Sequence, residues 1–374
     1  MQDVRHLRIQ LEPGKAQDSC DGSVFTQSDK IAPSCSYYKG DSYRAGDVAY
    51  IYPENSSLSI ERMIKILHRD SCDLKDDTFV SISYKHSINR RRYLGNTKCT
   101  LHSLFAKCLD INGTPQRNFF LALSQFAKSD EERDKLCEIA SAEGNDLYID
   151  YCIRARRSYI DILEDFRSVC IPLEILVEII PRIQPRQYSI ASSGLSTPSE
   201  LQLCIGLVRY TTKNKRKIEG VCSRYISYLN PGDRVMYSIR KGSITIGEDD
   251  SVILIGPGTG VAPMRSIIHE KLHTINSRIK SFPSDSAPVK VVLFFGCRNK
   301  KLDFLYEKEW KSLSLNILHK DIEASSNVSS AVTVIPAFSR DYDSKEYVTD
   351  KITEHGEIIW DLINKVFFFF ISRL

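Results

Sequence analysis

The chain has 374 residues, 42% hydrophobic and 26% charged, with a net charge of +4. That allows two or three domains with their own cores, excludes a disordered chain, and argues against a nucleic-acid binder because the charge is small and dispersed. Eleven cysteines without a CxxC pair fit reduced thiols in the cytosol better than a disulfide framework or zinc site, with Cys72, Cys99, Cys108, Cys137 and the rest expected as small buried packers. The opening MQDVRHLRIQL lacks the apolar core of a signal peptide, and no run approaches the ~20 apolar residues of a membrane span, so a cytoplasmic location without a membrane partner is expected.

Residues 6–11 alternate apolar and polar, and residues 46–55 read as a strand bounded by turn formers. Between about 58 and 169 the pattern becomes helical, as in SIERMIKIL, TLHSLFAKCLDI, RNFFLALSQFA and DEERDKLCEIASAEG. Strands resume at 187–191, 201–210 and 233–239, which predicts a β-barrel interrupted by a helical insert. From 249 onward strands and helices alternate: a strand at 252–255, a helix through Leu272, a strand at 289–295, a charged helix around Trp310, a strand at 332–335 and a helix over 344–363. This order predicts a parallel sheet. The serine-rich stretch 277–287 reads as a surface loop. His269 and His273 have i,i+4 spacing but no acidic or cysteine set beside them, so no metal site is expected.

The segment 251–264, SVILIGPGTGVAPM, reads as a strand, a glycine loop and a helix with Pro263 in its first turn. Glycines allow close backbone approach to a ligand, and free amides at a helix start attract anions. A tight turn with no ligand is the alternative. The neighbouring motifs are RQYSIASS (186–193), GVCS (220–223), FFGCR (294–298) and FSRD (338–341).

These five motifs, in this order, resemble the FAD- and NADPH-binding half of the diflavin reductases related to cytochrome P450 reductase. The likeness is nearest to the cytosolic NADPH-dependent diflavin oxidoreductase branch that serves iron–sulfur protein assembly. SAEGNDLYIDYC and TPQRNFF look like the helical insert of that branch, and the likeness covers roughly residues 2–364. The implied fold is mixed: an antiparallel β-barrel FAD domain (1–57 and 171–248) with an all-α insert (58–170), then an α/β Rossmann-like NADP-binding domain of the ferredoxin–NADP reductase type (249–364).

The resemblance implies that Arg186, Gln187, Tyr188 and Ser189 serve FAD, with Tyr188 stacked on the ring, Arg186 at the pyrophosphate and Ser189 acting catalytically near the reducible nitrogen. Gly220, Val221, Cys222 and Ser223 would supply amides and a hydroxyl to FAD phosphates, and Arg156 would contact FAD, whereas its neighbours Arg154 and Arg157 read equally well as solvated charges. Thr259 would reach the NADPH pyrophosphate and Arg298 would lie beside the same nucleotide, a strand-end ion pair being the alternative for Arg298. Ser339, Arg340, Lys345, Glu346, Tyr347, Val348 and Thr349 would bind the rest of NADPH, the cations and hydroxyls suiting a 2′-phosphate. Cys297 has no nucleophilic partner in the sequence.

Compared with that family, no phosphate loop for an FMN domain precedes the barrel, and the likeness stops near Asn364. Residues 365–374 read as an aberrant tail, consistent with intron read-through, that either exposes apolar surface or adds an improvised strand. The implied function is electron transfer from NADPH to FAD and, in a full-length form, through FMN to an anamorsin-type iron–sulfur protein. A non-catalytic form that binds FAD and NADPH, or a single-flavin ferredoxin–NADP reductase, are the alternatives.

Overall fold

The computed structural model describes residues 3–11, 43–70, 75–82, 97–244, 246–281, 289–318, 332–341, 344–364 and 367–372. Expectations placed on Cys72, on 282–287 of the serine-rich stretch and on 365, 366, 373 and 374 of the tail lie outside these residues.

Antiparallel strands build the first core. Val4–Gln10 pairs with Glu200–Gly206, with Val4 opposite Gly206 and Gln10 opposite Glu200. Val48–Ile51 lies between Arg186–Ser189 and Tyr237–Arg240, antiparallel to both. A bridge from Ile190 to Leu203 links the two sheets. Ile9, Ala49, Ile51, Ile190, Leu201, Leu203 and Ile205 point into one shared core, as apolar residues of alternating strands must. A hairpin, Arg209–Thr211 with Lys217–Glu219, leads directly into Gly220.

The insert has its own core. In helix Ser57–Leu67, Ile60, Met63, Ile64 and Leu67 recur at i, i+3, i+4 and i+7 and are buried. They meet Phe105, Phe119, Phe120, Leu123, Leu136, Ile139 and Ile160, and the same core extends to Ile180. Hydroxyl caps fix the helix starts: Ser56 accepts from the Ser59 amide, Ser129 from Glu132, and Ser158 with Asp161 forms a reciprocal capping box. The insert also carries one antiparallel pair, Phe79–Ile82 with Thr97–Thr100, whose four-residue strands are too short to stand out against helical periodicity. Cys99, Cys108, Cys152, Cys204 and Cys222 are buried as expected, but Cys170 and Cys297 are only half-buried and Cys137 is exposed. It lies about 100° around helix Asp130–Ala140 from the buried Leu136, off the face that Leu136 and Ile139 bury.

The second core surrounds a parallel sheet in the order Val332–Phe338, Val291–Cys297, Ser251–Ile255, Phe367–Ile371. Alternation is clean: Val252, Leu254, Val291, Leu293 and Phe295 face the side covered by Met264, Ile268 and Trp310. Ile253, Val292, Phe294 and Ile335 face Ile359 and Leu362 on the other side. Helix Val261–Ser281 runs past the expected end at Leu272, so residues 277–281 are helical rather than loop. Ser277 fits because its hydroxyl donates to the His273 carbonyl at 2.9 Å. The expected helix at 344–363 starts only at Val348 and divides into Val348–Glu354 and Gly356–Ile363, broken at His355 (φ −101°, ψ 25°). Phe367–Ile371 takes the improvised-strand alternative, parallel to Ser251–Ile255 with Phe369 opposite Ile253. Among the described residues no helix is long and apolar enough to cross a membrane.

Candidate functional site

Arg186–Ser189 is an edge strand, so Arg186 and Tyr188 share one face and Gln187 and Ser189 the other. The Tyr188 hydroxyl donates to Cys222 Sγ at 3.3 Å, which joins the RQYS and GVCS motifs. Burial and the neighbouring Cys222 push the Tyr188 phenol well above its usual range, so it stays protonated and a donor. Gly220 caps helix Val221–Ser227, and its amide donates to the Val208 carbonyl at 2.9 Å. Ser223 is buried, and its hydroxyl accepts from the Val208 amide at 2.8 Å. Val221 and Ser189 are half-buried, while Gln187 is exposed. Arg186 donates to the Gln184 carbonyl at 2.5 Å.

Arg156 is placed differently. It is exposed with φ 53°, and no side-chain bond among the described residues joins it to Tyr188 or Cys222. Of its neighbours, Arg154 is exposed and pairs with Asp150. Arg157 is not a free solvated charge: it pairs with Asp165 and lies 4.4 Å over the Tyr151 ring.

The nucleotide motifs converge at a glycine. A Cβ on Gly296 would lie 2.6 Å from Val348 Cγ2 and 3.6 Å from Pro257 Cβ, so the FFGCR strand, the GPGTG loop and the 345–349 segment meet there. Gly258 adopts φ 56°, and a Cβ on Gly256 would lie 2.9 Å from Val261 Cα, so this loop needs glycine at both positions. Half-buried Thr259 sits in the single turn Gly258–Gly260, which feeds straight into helix Val261–Ser281. The Ser339 amide donates to the Cys297 carbonyl at 3.0 Å and the Arg340 amide to the Arg298 carbonyl at 2.8 Å, extending the strand pairing past its ends. Arg298, Ser339 and Arg340 are thereby adjacent. Lys345, Tyr347 and Thr349 are exposed, whereas the Glu346 carboxylate pairs with Lys351 at 2.9 Å. Burial and the nearby Asp303 and Asp341 push the Cys297 thiol up to about 12, leaving it inert.

Sequence reasoning missed a set of buried polar atoms. Among the described residues five lack a hydrogen-bond partner: Asp110 Oδ1 and one guanidinium nitrogen each of Arg157, Arg224, Arg240 and Arg298. Each lies beside an expected cofactor residue. Arg157 follows Arg156, Arg224 follows GVCS in the same helix, and Arg240 shares Val48 as cross-strand partner with Ser189. Asp110 is raised mainly by burial, against the charge of Arg186. A buried donor without an acceptor costs about 1–3 kcal/mol, and that strain is relieved when an anion arrives. Arg157, Arg224 and Arg298 also face carboxylates of the chain: Asp165, Glu219 (3.9 Å from Arg224 Nε) and Asp303 (3.4 Å from Arg298 Nε). Arg224 was legible as a cation four residues beyond Gly220; Arg240 and Asp110 carried no sequence signal.

A family profile described as "FAD binding domain" matches residues 34–225, and one described as "Oxidoreductase NAD-binding domain" matches residues 254–363. The chain belongs to this family of FAD-binding oxidoreductases. It is 36% identical over 324 residues to a NADPH-dependent diflavin oxidoreductase 1 of Xenopus laevis, covering 85% of this chain and 49% of that protein. The Danio rerio protein of that name is 33% identical over 335 residues, covering 88% of this chain and 51% of that protein. The Schizosaccharomyces pombe one is 32% identical over 372 residues, covering 99% of this chain and 59% of that protein. The likeness to diflavin reductases read from the five motifs is borne out, and the chain spans about half the length of the curated relatives it matches.

Proposed function

We propose that this chain binds FAD and NADPH and passes electrons from NADPH to FAD. The observation that carries the reading is the position, beside the two sets of dinucleotide motifs, of buried guanidinium nitrogens without a hydrogen bond on Arg224, Arg240 and Arg298. FAD, when bound, supplies a two-electron acceptor. Tyr188, anchored on Cys222, covers the flavin ring, and Ser189 on the same strand offers a hydroxyl near its reducible nitrogen. Arg186, Arg224 and Arg240, with the backbone of Gly220–Ser223 and with Arg156, hold the FAD phosphates. Thr259 and Arg298 hold the nucleotide pyrophosphate. Ser339, Arg340 and Lys345 hold the 2′-phosphate, and Tyr347 covers the adenine beside Glu346, Val348 and Thr349. A cluster of cations and hydroxyls favours NADPH over NADH, whose ribose calls for a carboxylate acceptor.

In a longer form the electrons pass through FMN to an acceptor. An iron–sulfur protein of the anamorsin type, acting in cytoplasmic cluster assembly, is the partner we propose. The testing experiment is an anaerobic NADPH titration of the FAD-loaded chain, following oxidised-flavin absorbance, with NADH as control. Bleaching by NADPH at concentrations at least ~100-fold below those needed with NADH is the expected result. Bound FAD that stays oxidised overturns the reading and leaves a chain that binds without reducing.

A further inference from the structure

Helix Val261–Ser281 starts at the glycine loop, and one stripe of it (Ala262, Arg265, Ser266, His269, Glu270) follows the i, i+3, i+4 pattern of a single helix face. Arg265 is buried, at 8% exposure. Its Nη1 donates to the Ala191 carbonyl at 2.6 Å and to Gln202 Oε1 at 2.7 Å, both in the barrel. Its Nε donates to both Glu309 carboxylate oxygens at 2.9 Å, and its guanidinium stands 4.6 Å over the Tyr306 ring. Next to it, the Ser266 hydroxyl donates to the Ser192 carbonyl at 2.5 Å, and Glu270 accepts from the Ala45 amide at 2.9 Å.

Tyr306 closes the same seam from the other side. It has φ 60°, a left-handed conformation that a bulky residue keeps only where its surroundings hold it. Its hydroxyl is hydrogen-bonded to His6 Nδ1 at 3.0 Å, and its ring meets His6 and Trp310 edge-on. Ala191, Cys204 and Ala262 form an apolar patch with Val4, Leu305 and Tyr306, which drives water out of the seam.

The seam stands behind both halves of the proposed site. Ala191 is two residues beyond Ser189, about 7 Å along an extended strand. Arg265 is five residues beyond Gly260, about 7.5 Å along a helix. We infer that Arg265, with Tyr306 as its aromatic platform, is a positioning residue that fixes the nucleotide-binding domain against the barrel so that the nicotinamide end of one site meets the flavin strand of the other. The inference rests on the NADPH-to-FAD reading above. Arginine is required because its planar fork reaches two barrel acceptors while still facing Glu309; lysine keeps the charge but not that geometry. A displacement of about 1 Å between reacting groups lowers a transfer rate roughly 100-fold.

The test compares the full FAD-loaded chain with Arg265→Lys and Tyr306→Phe variants. In stopped flow, the limiting rate of flavin bleaching at saturating NADPH falls ~10- to 100-fold in Arg265→Lys, while the half-saturating NADPH concentration moves less than ~2-fold. Tyr306→Phe, which keeps the ring and loses the hydroxyl bond to His6, falls by a few-fold and serves alone if Arg265→Lys does not fold. Calorimetry of the cofactor-free chain supplies the second readout: barrel and nucleotide-binding domain unfold together in the wild type and separate in Arg265→Lys. An unchanged limiting rate, or a change confined to half-saturation, overturns the inference. If the wild type is not bleached at all, the proposed function fails, and calorimetry judges the seam: separated transitions support it and an unsplit transition overturns it.

Discussion

Asp161 ties three parts of the chain together, and replacing it with asparagine should be costly. It sits in the first turn of helix Tyr159–Asp165, with a side chain only 12% exposed. Its Oδ2 accepts from the Ser158 amide and hydroxyl, both at 2.8 Å, and pairs with Arg216 of the barrel hairpin. Its Oδ1 accepts from Arg62 of helix Ser57–Leu67 at 2.9 Å. Burial alone would raise its pKa, but the Ser158 amide, Arg216 and Arg62 outweigh burial and hold it at about 2 rather than 3.8. At ~1.4 kcal/mol per pH unit, that gap corresponds to about 2.5 kcal/mol of stability at neutral pH. Because the folded value is depressed, the contribution is complete above the unfolded value and is lost as pH falls through the folded one. Asp161→Asn should therefore lower stability by about 2–3 kcal/mol at pH 7, with the difference steady to about pH 5 and shrinking below about pH 4. Urea unfolding followed by far-UV circular dichroism, which reports on the helical insert, measures this at each pH. A difference under ~0.5 kcal/mol at pH 7, or one that grows with acid, refutes the reasoning. Since Arg216 lies on the hairpin that enters Gly220, the variant should also release FAD more readily.

Gly296→Ala forces a methyl into Val348, 2.6 Å away, and should weaken NADP⁺ binding about tenfold by isothermal titration while FAD content stays unchanged. Arg298→Met removes a guanidinium whose buried Nη2 has no hydrogen-bond partner and whose Nε pairs with Asp303 at 3.4 Å, so NADP⁺ affinity should fall roughly 10- to 100-fold while stability falls by no more than the ~1 kcal/mol of a partly exposed ion pair; a larger loss would mean the group serves the fold instead. Tyr188→Ala opens the proposed ring cover and frees Cys222, and the ratio of flavin to protein absorbance after gel filtration should fall several-fold. Lys271→Met leaves the carbonyls of Gly247, Glu248 and Asp250 without their ammonium, which now sits 2.5–3.1 Å from them, and should cost about 2 kcal/mol in thermal unfolding. Burial lowers the Lys271 pKa, so the wild type gains stability as pH rises toward the usual 10.5, a trend the methionine variant loses.

Most of the architecture was legible because it is written in apolar period. Val252–Ile255 and Val291–Phe295 bury both faces, and only a strand covered on both sides tolerates such runs. Local features that depend on one hydrogen bond were not legible. Ser277 reads as loop by composition, yet its hydroxyl returns to His273 within the helix. The split at His355 falls at Gly356, a weak helix former, and both halves still pack on the sheet, Ile352 from the first and Ile359 and Leu362 from the second. Sequence could name the site's segments, because glycines and turns mark them. It could not name the atoms left uncommitted: Arg240 looks like any strand-end cation until it is seen 4.3 Å over Tyr50 with a buried nitrogen unpaired.

Among the described arginines, some have every buried nitrogen hydrogen-bonded and others do not. Arg62 and Arg265 place their charges against carboxylates and carbonyls of their own chain, and such satisfied networks rigidify the places where the insert meets its own helices and the barrel meets the nucleotide-binding domain. Arg224 and Arg298 also face carboxylates, Glu219 at 3.9 Å and Asp303 at 3.4 Å, yet like Arg240 each keeps one buried nitrogen without a hydrogen bond. A chain selected for stability alone would swing those nitrogens to water or supply an acceptor, since either relieves about 1–3 kcal/mol apiece. Leaving them buried makes sense where a ligand brings the acceptor, because the binding energy then includes relief of strain already present in the free protein. On the proposed reading, Arg265 holds the barrel against the nucleotide-binding domain, and the unbonded nitrogens of Arg224, Arg240 and Arg298 are where ligand phosphates would find donors.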